Sequence, residues 1–139
     1  MSEQSTAAPS TQMQALDRLV GQWSVKGGAE GTVSYEWLEG GFFLLQRVEL
    51  DQGAGIEVIG HLHPFMGEQS EDVHSRFYGN QGGTFDYVYE LDGDTLTIWA
   101  GERGSPAYYE GTFSADGNEL TGSWVYPGGG GYDSVATRI

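Results

Sequence analysis

The sequence predicts an all-β fold, a ten-stranded up-and-down antiparallel β-barrel that follows a short N-terminal helix. Apolar and polar residues alternate along many short runs, which is the pattern of strands with one buried face. Glycine contributes 23 of the 139 residues, and many of these glycines lie between the runs, where turns are expected. Because such short connections pair neighbouring strands antiparallel, the chain forms a meander. Closing the meander into a barrel leaves no free sheet edge.

The first residues predict a tail and then a helix. Residues 1–14 are rich in Ser, Thr, Gln and Ala, a composition typical of disorder, so we expect a disordered tail over 1–10 and one folded domain over 11–139. Thr11 and Gln14 have the spacing of a capping box. Four apolar residues then share one helical face: Met13, Leu16, Leu19 and Val20. A helix this short is unstable alone, so we expect its apolar side to cover a barrel mouth.

The strands follow one another at intervals of about 11 residues, within the range typical of all-β domains. Gly40-Gly41 and Asp92-Gly93 are predicted to form hairpin turns, because such pairs adopt the positive φ that these turns need. The pattern indicates neither a repeat nor a second domain. The ten predicted strands are 22–26, 32–38, 42–50, 56–63, 72–78, 84–91, 94–101, 107–114, 119–126 and 132–139.

Charge and composition exclude several classes of partner. The chain has 20 acidic and 6 basic residues and a net charge of −14, which repels nucleic acid and anionic membranes. It has no cysteine, so disulfides, thiolate metal sites and cysteine nucleophiles are excluded. The absence of a signal-like start and of a long apolar run predicts a cytoplasmic protein. A homodimer is left open.

The predicted domain carries a Gly-x-Trp motif near its start and an arginine near its end. Gly21-x-Trp23 opens the first strand, and Arg138 lies on the last strand. This arrangement resembles the calycin barrels, a group that includes lipocalins, fatty-acid-binding proteins and nitrobindins. The resemblance implies that Arg138 packs over Trp23 and closes the barrel floor.

Three further segments extend this resemblance. Residues 35–47, 111–117 and 120–124 resemble a bacterial family of lipocalin-like proteins whose function is unknown, and the order of elements resembles the nitrobindin branch. Nitrobindins hold haem through a histidine on a late strand. Because no histidine follows His74 here, the haem is not carried over, and we expect no cofactor.

Aromatic residues provide the main functional prediction. They come from many strands and lie on faces that alternate with polar ones, so they can converge on the barrel interior. A lining of rings with hydroxyl groups suits a small hydrophobic or aromatic ligand, and the alternative is that the rings fill the barrel. The predicted ligand-binding residues are Tyr35, Trp37, Phe77, Phe85, Tyr87, Tyr89, Ile98, Tyr109, Phe113 and Trp124.

An alternative function, a metal-dependent enzyme, rests on histidines. His61 and His63 are two residues apart on a predicted strand and therefore share a face, as chelating pairs do. With Glu68 they resemble the first metal motif of cupins, and His74 would have to substitute for the missing second motif. The other face of this strand is the apolar one, which predicts exposed histidines. That apolar face comprises Ile56, Val58, Gly60 and Leu62.

The remaining polar residues give little reason to expect catalysis. The sequence contains no nucleophile elbow, and several carboxylates lie on polar strand faces, where solvated surface charge explains them. A binding protein is therefore favoured over an enzyme. These surface carboxylates are Glu36, Glu49, Asp86, Glu90, Glu110 and Glu119.

Overall fold

The structure, a computed structural model, describes residues 8–139. Ten antiparallel strands close into one barrel in which each strand pairs with its neighbours in sequence and β1 pairs with β10. The predicted fold class is therefore confirmed. The strands are β1 Gly21–Gly27, β2 Gly31–Trp37, β3 Leu44–Leu50, β4 Gly53–His61, β5 Val73–Gly79, β6 Thr84–Asp92, β7 Thr95–Ala100, β8 Tyr108–Phe113, β9 Glu119–Val125 and β10 Tyr132–Arg138.

A short helix, α1 (Thr11–Ala15), continues into a 3-10 turn, Leu16–Leu19. Its N-cap is Ser10, whose Oγ accepts a hydrogen bond from the Met13 amide at 3.1 Å. The N-cap was predicted one residue too late, at Thr11, because Ser and Thr are both good caps and stand side by side here. Residues 1–7 of the predicted tail lie outside the described residues. No helix within residues 8–139 has both the length and the apolar character that crossing a bilayer requires.

The helical segment lies across one end of the barrel and forms a packed floor with the strands. Hydrogen bonds tie it to strand ends there: Trp37 Nε1 donates to Asp17 Oδ1 at 2.8 Å, and Arg18 Nη1 donates to the Gly93 carbonyl at 3.0 Å. This end is therefore sealed. The side chains buried in the floor are Met13, Leu16, Leu19, Trp23, Leu44, Ile59, Val73, Leu96 and Phe113.

Turns shift two predicted strand starts. β3 begins at Leu44 instead of residue 42, because Gly40 and Gly41 have φ of 98° and 78° and extend the turn. β4 begins at Gly53 instead of residue 56, because the chain turns within two residues after β3. This early start fixes the register between β3 and β4, and with it the face on which each β4 side chain lies.

The prediction for the faces of β4 was wrong. Glu57, Ile59 and His61 point inward and are 6%, 0% and 8% exposed, whereas Ile56 and Leu62 on the other face are 37% and 57% exposed. Two polar residues can occupy the inner face because each finds a hydrogen-bond partner there. The barrel therefore contains a carboxyl group that the hydrophobic pattern assigned to the outer surface.

The barrel is closed where the first strand, β1, pairs with the last strand, β10. Trp23 on β1 lies directly opposite Arg138 on β10, and the guanidinium lies over the indole at 4.2 Å from the ring centroid. Gly21 has φ of 125°, and a Cβ there would lie 2.7 Å from Arg138 Nη1. Only glycine suits this position, which explains the Gly-x-Trp spacing.

Candidate functional site

The end of the barrel opposite the helix contains a cavity of about 360 Å³. This volume lies in the range of small-molecule sites. The cavity extends from the loops of the open end, where Ala29 and Gln52 line it, to the middle of the barrel. Its aliphatic lining is Val25, Val33, Val48, Leu50, Leu96, Ile98, Leu120 and Ala136.

Eight of the ten predicted ligand-binding residues line this cavity. Phe85 lies at its mouth, where it is 57% exposed. Strand alternation thus identified most of the inward positions. The eight are Tyr35, Phe77, Phe85, Tyr87, Tyr89, Ile98, Tyr109 and Trp124.

The other two predicted residues lie outside the cavity. Trp37 ends β2 at the helix side, where it bonds to Asp17. Phe113 ends β8 at the same side and lies buried in the floor, 6.4 Å from the Trp23 ring and 4.3 Å below the Arg18 guanidinium. Alternation predicts that a side chain points inward but not how deep it lies, so both were placed at the wrong level.

One wall of the cavity is a cluster of rings from β6, β8 and β9. Trp124 lies 5.9 Å from Tyr87 and 5.6 Å from Tyr109 between ring centroids, and it stacks on Tyr126 at 6.1 Å. Tyr109 lies across Gly122, where a Cβ would come within 2.6 Å of its hydroxyl. The glycine therefore makes room for the ring, and the wall presents broad aromatic faces to the cavity.

The base of the cavity is polar. Glu57 and Gln46 lie opposite each other on β4 and β3, and Gln46 lies opposite Tyr35 on β2. Tyr89 Oη donates to Glu57 Oε2 at 2.7 Å, and Gln46 Nε2 donates to Tyr35 Oη at 2.9 Å. All four side chains are buried. Together they form a group of hydrogen-bonding atoms beneath the rings.

Glu57 is a buried carboxyl without a cation. None of the ion pairs among residues 8–139 includes it. Burial raises its pKa above the usual value of 4.5, although the nearby hydroxyls of Ser75 and Tyr89 act in the opposite direction. The Ser75 hydroxyl itself has no partner in hydrogen-bonding geometry among the described residues. Within residues 8–139, the carboxyl thus has one well-formed hydrogen bond and no opposing charge to offset its burial.

The tyrosines around the cavity also carry raised pKa values. Burial is the main cause for Tyr35, Tyr87 and Tyr89, and the nearby Glu57 carboxylate adds to it. Burial raises the pKa of Tyr109 to about 12. All four hydroxyl groups therefore stay protonated at neutral pH and can donate hydrogen bonds.

The sequence did not identify Glu57 and Gln46 as site residues. Gln46 lies between Leu44 and Val48 on the inner face of β3, and Glu57 was assigned to the outer surface with the polar face of β4. The available signal was the register: once Leu50 is placed opposite Gly53 across a two-residue turn, Gln46 and Glu57 become partners on the face of Leu44. A polar pair at partnered inward positions is a signal of a functional interior.

The proposed metal ligands are not brought together. His61 is buried, and its Nε2 and Nδ1 lie 2.7 Å from Ser10 Oγ and 2.9 Å from the Ser70 carbonyl. His63 is exposed and bonds to the Gly67 carbonyl, Glu68 is exposed, and His74 lies on the outer face of β5. Within residues 8–139, no three His, Cys, Asp or Glu side chains form a metal-binding group.

The two histidines line a second depression, of about 500 Å³, outside the barrel at the helix end. Phe65 and Met66, which form part of its wall, are 94% and 90% exposed. Walls that exposed do not exclude water from a bound molecule. The barrel cavity is therefore the better candidate site.

Comparison with known proteins adds no identification. No protein-family model matches the chain, and no curated protein is significantly similar to it. The closed ten-stranded barrel with its short helix is consistent with a calycin-like architecture.

Proposed function

We propose that this protein binds a small hydrophobic or aromatic molecule inside the barrel. The observation that carries the proposal is the cavity of about 360 Å³, which rings line on one side and which opens away from the helix. The barrel is not filled by its own side chains at this end. A cavity with an apolar wall and a few polar groups at its base is the usual form of a small-molecule site.

The apolar area that a ligand can bury limits the affinity that contacts with the rings alone can provide. A ring-sized group that buries about 150–250 Å² gains about 4–6 kcal/mol at 25 cal/mol/Å². The costs of association reduce this gain, which leaves an affinity in the millimolar range or weaker. Tighter binding therefore requires the polar groups at the base.

We also propose that the chain belongs to the calycin type that nitrobindins represent, as its sequence resemblance to lipocalin-like bacterial proteins suggests. The support is the arrangement of Gly21, Trp23 and Arg138, which has the form that the resemblance implies. A cytoplasmic location, the absence of nucleic-acid and membrane partners and an optional homodimer remain predictions from the sequence.

The proposal can be tested with two tryptophans on nearby strands. Trp124 lines the cavity, whereas Trp99 lies on the outer face, 5.2 Å from Tyr108. We expect the neutral dye N-phenyl-1-naphthylamine to bind saturably, with a rise in its emission, and to contact the Trp124 ring. Affinity for the dye should fall in Trp124→Ala, which removes a ring from the cavity wall, and should persist in Trp99→Ala. No saturable binding, or equal losses in the two variants, would contradict the proposal.

A further inference from the structure

We propose that the ligand carries a protonated amine on its hydrophobic or aromatic body and that Glu57 anchors this amine. The inference rests on the proposed function and specifies its ligand class. It starts from the carboxyl group at the base of a cavity that no Lys, Arg or His side chain of residues 8–139 lines.

A buried carboxylate without a partner is unfavourable, since ions lose hydration when they leave water. The barrel supplies Glu57 with one hydrogen bond, from Tyr89 to Oε2, and with no cation. Two partners can relieve this cost: a proton, or a positive charge that enters the cavity. Of these two partners, only a cation carried by the ligand would also make the site selective for one class of molecule.

The geometry around Glu57 suits an ammonium group. Among the described residues, Glu57 Oε1 has no donor in hydrogen-bonding geometry. The Ser75 hydroxyl lies near the carboxyl without making such a bond, which leaves Oε1 open to a donor from the cavity. Gln46, opposite Glu57, donates through Nε2 to Tyr35, which leaves its side-chain oxygen as a second acceptor. An ammonium has three N–H donors and no acceptor, and it matches two neighbouring oxygens.

The cavity wall also favours a cation that has an apolar body. The faces of Tyr87, Tyr109 and Trp124 attract positive charge within about 6 Å and provide apolar area for the rest of the molecule. The net charge of −14 adds a long-range attraction for cations. Both this field and the Glu57 carboxylate would repel an anionic ligand.

The test uses two compounds of the same shape, tryptamine and its neutral alcohol counterpart, tryptophol. Calorimetric titration at pH 8 should give tryptamine at least about a tenfold tighter Kd, since hydrogen bonds to charged groups are the stronger ones. Glu57→Gln keeps the shape and removes the charge, so it should abolish this preference, with tryptamine losing more affinity than tryptophol. Glu49→Gln, which removes a charge from the exposed face of β3, should retain the preference.

A second measurement does not depend on the folding of a variant. In the wild-type protein, the ¹³C resonance of the Glu57 carboxyl should titrate at lower pH when tryptamine is bound, because the ammonium favours the ionised form. The groups that face Glu57, namely Tyr35, Tyr87 and Tyr89, are all phenols that stay neutral in this range. An unchanged titration with tryptamine bound would overturn the inference.

The outcomes separate the inference from the proposed function. Equal affinity for the two compounds, a preference that survives in Glu57→Gln, or binding of the dye without binding of tryptamine would overturn the amine inference and leave a binding barrel. If neither compound nor N-phenyl-1-naphthylamine binds, the proposed function fails and the inference with it.

Discussion

The two ends of the barrel hold an ionisable side chain in opposite ways. In the floor, Arg138 donates to the carbonyls of Val20 and Arg18 at 2.6 and 2.8 Å and lies on the Trp23 ring. In the cavity, Glu57 accepts one hydrogen bond, from Tyr89. The floor satisfies its charge within the chain, whereas the cavity leaves a charge to be satisfied by something else.

This difference separates the structural end of the molecule from the end available for function. The carbonyls that Arg138 binds lie at the end of the 3-10 turn, where a cation is favourable. The guanidinium thus fastens the helical segment to the last strand. In the part of the chain that the structure describes, no cation joins two elements across the cavity in this way, and the base of the cavity remains accessible from the mouth at Phe85.

The largest effect is expected from the indole in the floor. Trp23 is buried and its Nε1 donates to the Leu19 carbonyl at 2.8 Å, so Trp23→Ala should lower the free energy of unfolding by about 3–5 kcal/mol. Trp124→Ala, in the half-buried cavity wall, should cost less than about 2 kcal/mol. Urea unfolding of both variants measures the contrast. Equal losses would mean that the two ends are packed alike.

The next largest effect is expected at Gly21. Gly21→Ala should cost about 2–3 kcal/mol, because φ of 125° strains a residue with a Cβ and this Cβ would press on Arg138. Gly82 is the matched control, with φ of 98° and open space around it at the other end of the barrel. Gly82→Ala should cost about 1–2 kcal/mol, for the backbone alone. Thermal unfolding compares the two, and an equal loss would show that the contact with Arg138 contributes nothing.

The fold could be predicted from the sequence because its signals are local. Alternation identifies strands, and glycines such as Gly93, with φ of 61°, identify the turns between them. The sequence also suggested that the chain ends would meet, through the resemblance carried by Gly21, Trp23 and Arg138. Trp23 and Arg138 occupy opposing positions of one strand pair, so a local motif at each end was sufficient.

The site could be predicted only in part, because its polar base depends on register and depth. On β4 the more hydrophobic face is the outer one, so Ile56 and Leu62 suggested the wrong orientation and Glu57 was missed. Trp37 and Phe113 point inward as predicted but lie at the floor. Neither depth nor cross-strand partners are encoded in the pattern of a single strand.

A smaller effect is expected from the charge in the cavity of the ligand-free protein. Because burial raises the pKa of Glu57 above its usual 4.5, the folded state binds this proton more tightly than the unfolded state. The stabilisation that this proton provides is therefore fully present below about pH 4.5 and is lost as the pH rises through the pKa of Glu57 in the folded state. Glu57→Gln should remove this loss and stabilise the protein at pH 8 by about 1–2 kcal/mol.

Glu49→Gln is the control for this effect, since it changes the net charge equally from an exposed position. Unfolding free energies measured from pH 4.5 to 8 should show the two variants diverging as the pH rises. A Glu57→Gln variant that is less stable than Glu49→Gln at pH 8 would show that the barrel satisfies the carboxylate after all.

The smallest effect concerns Ser10, the N-cap residue, where the helix is held to the barrel. The Ser70 carbonyl requires a hydrogen on His61 Nδ1, so in the neutral ring Nε2 accepts from Ser10 Oγ, which also accepts from the Met13 amide. Ser10→Ala should cost about 1 kcal/mol, because the N-cap and this link are lost together. Thr11→Ala, one residue later and exposed, should change the unfolding free energy by less than about 0.5 kcal/mol. A larger loss in Thr11→Ala than in Ser10→Ala would show that Thr11 is the N-cap and that the Ser10–His61 link contributes nothing.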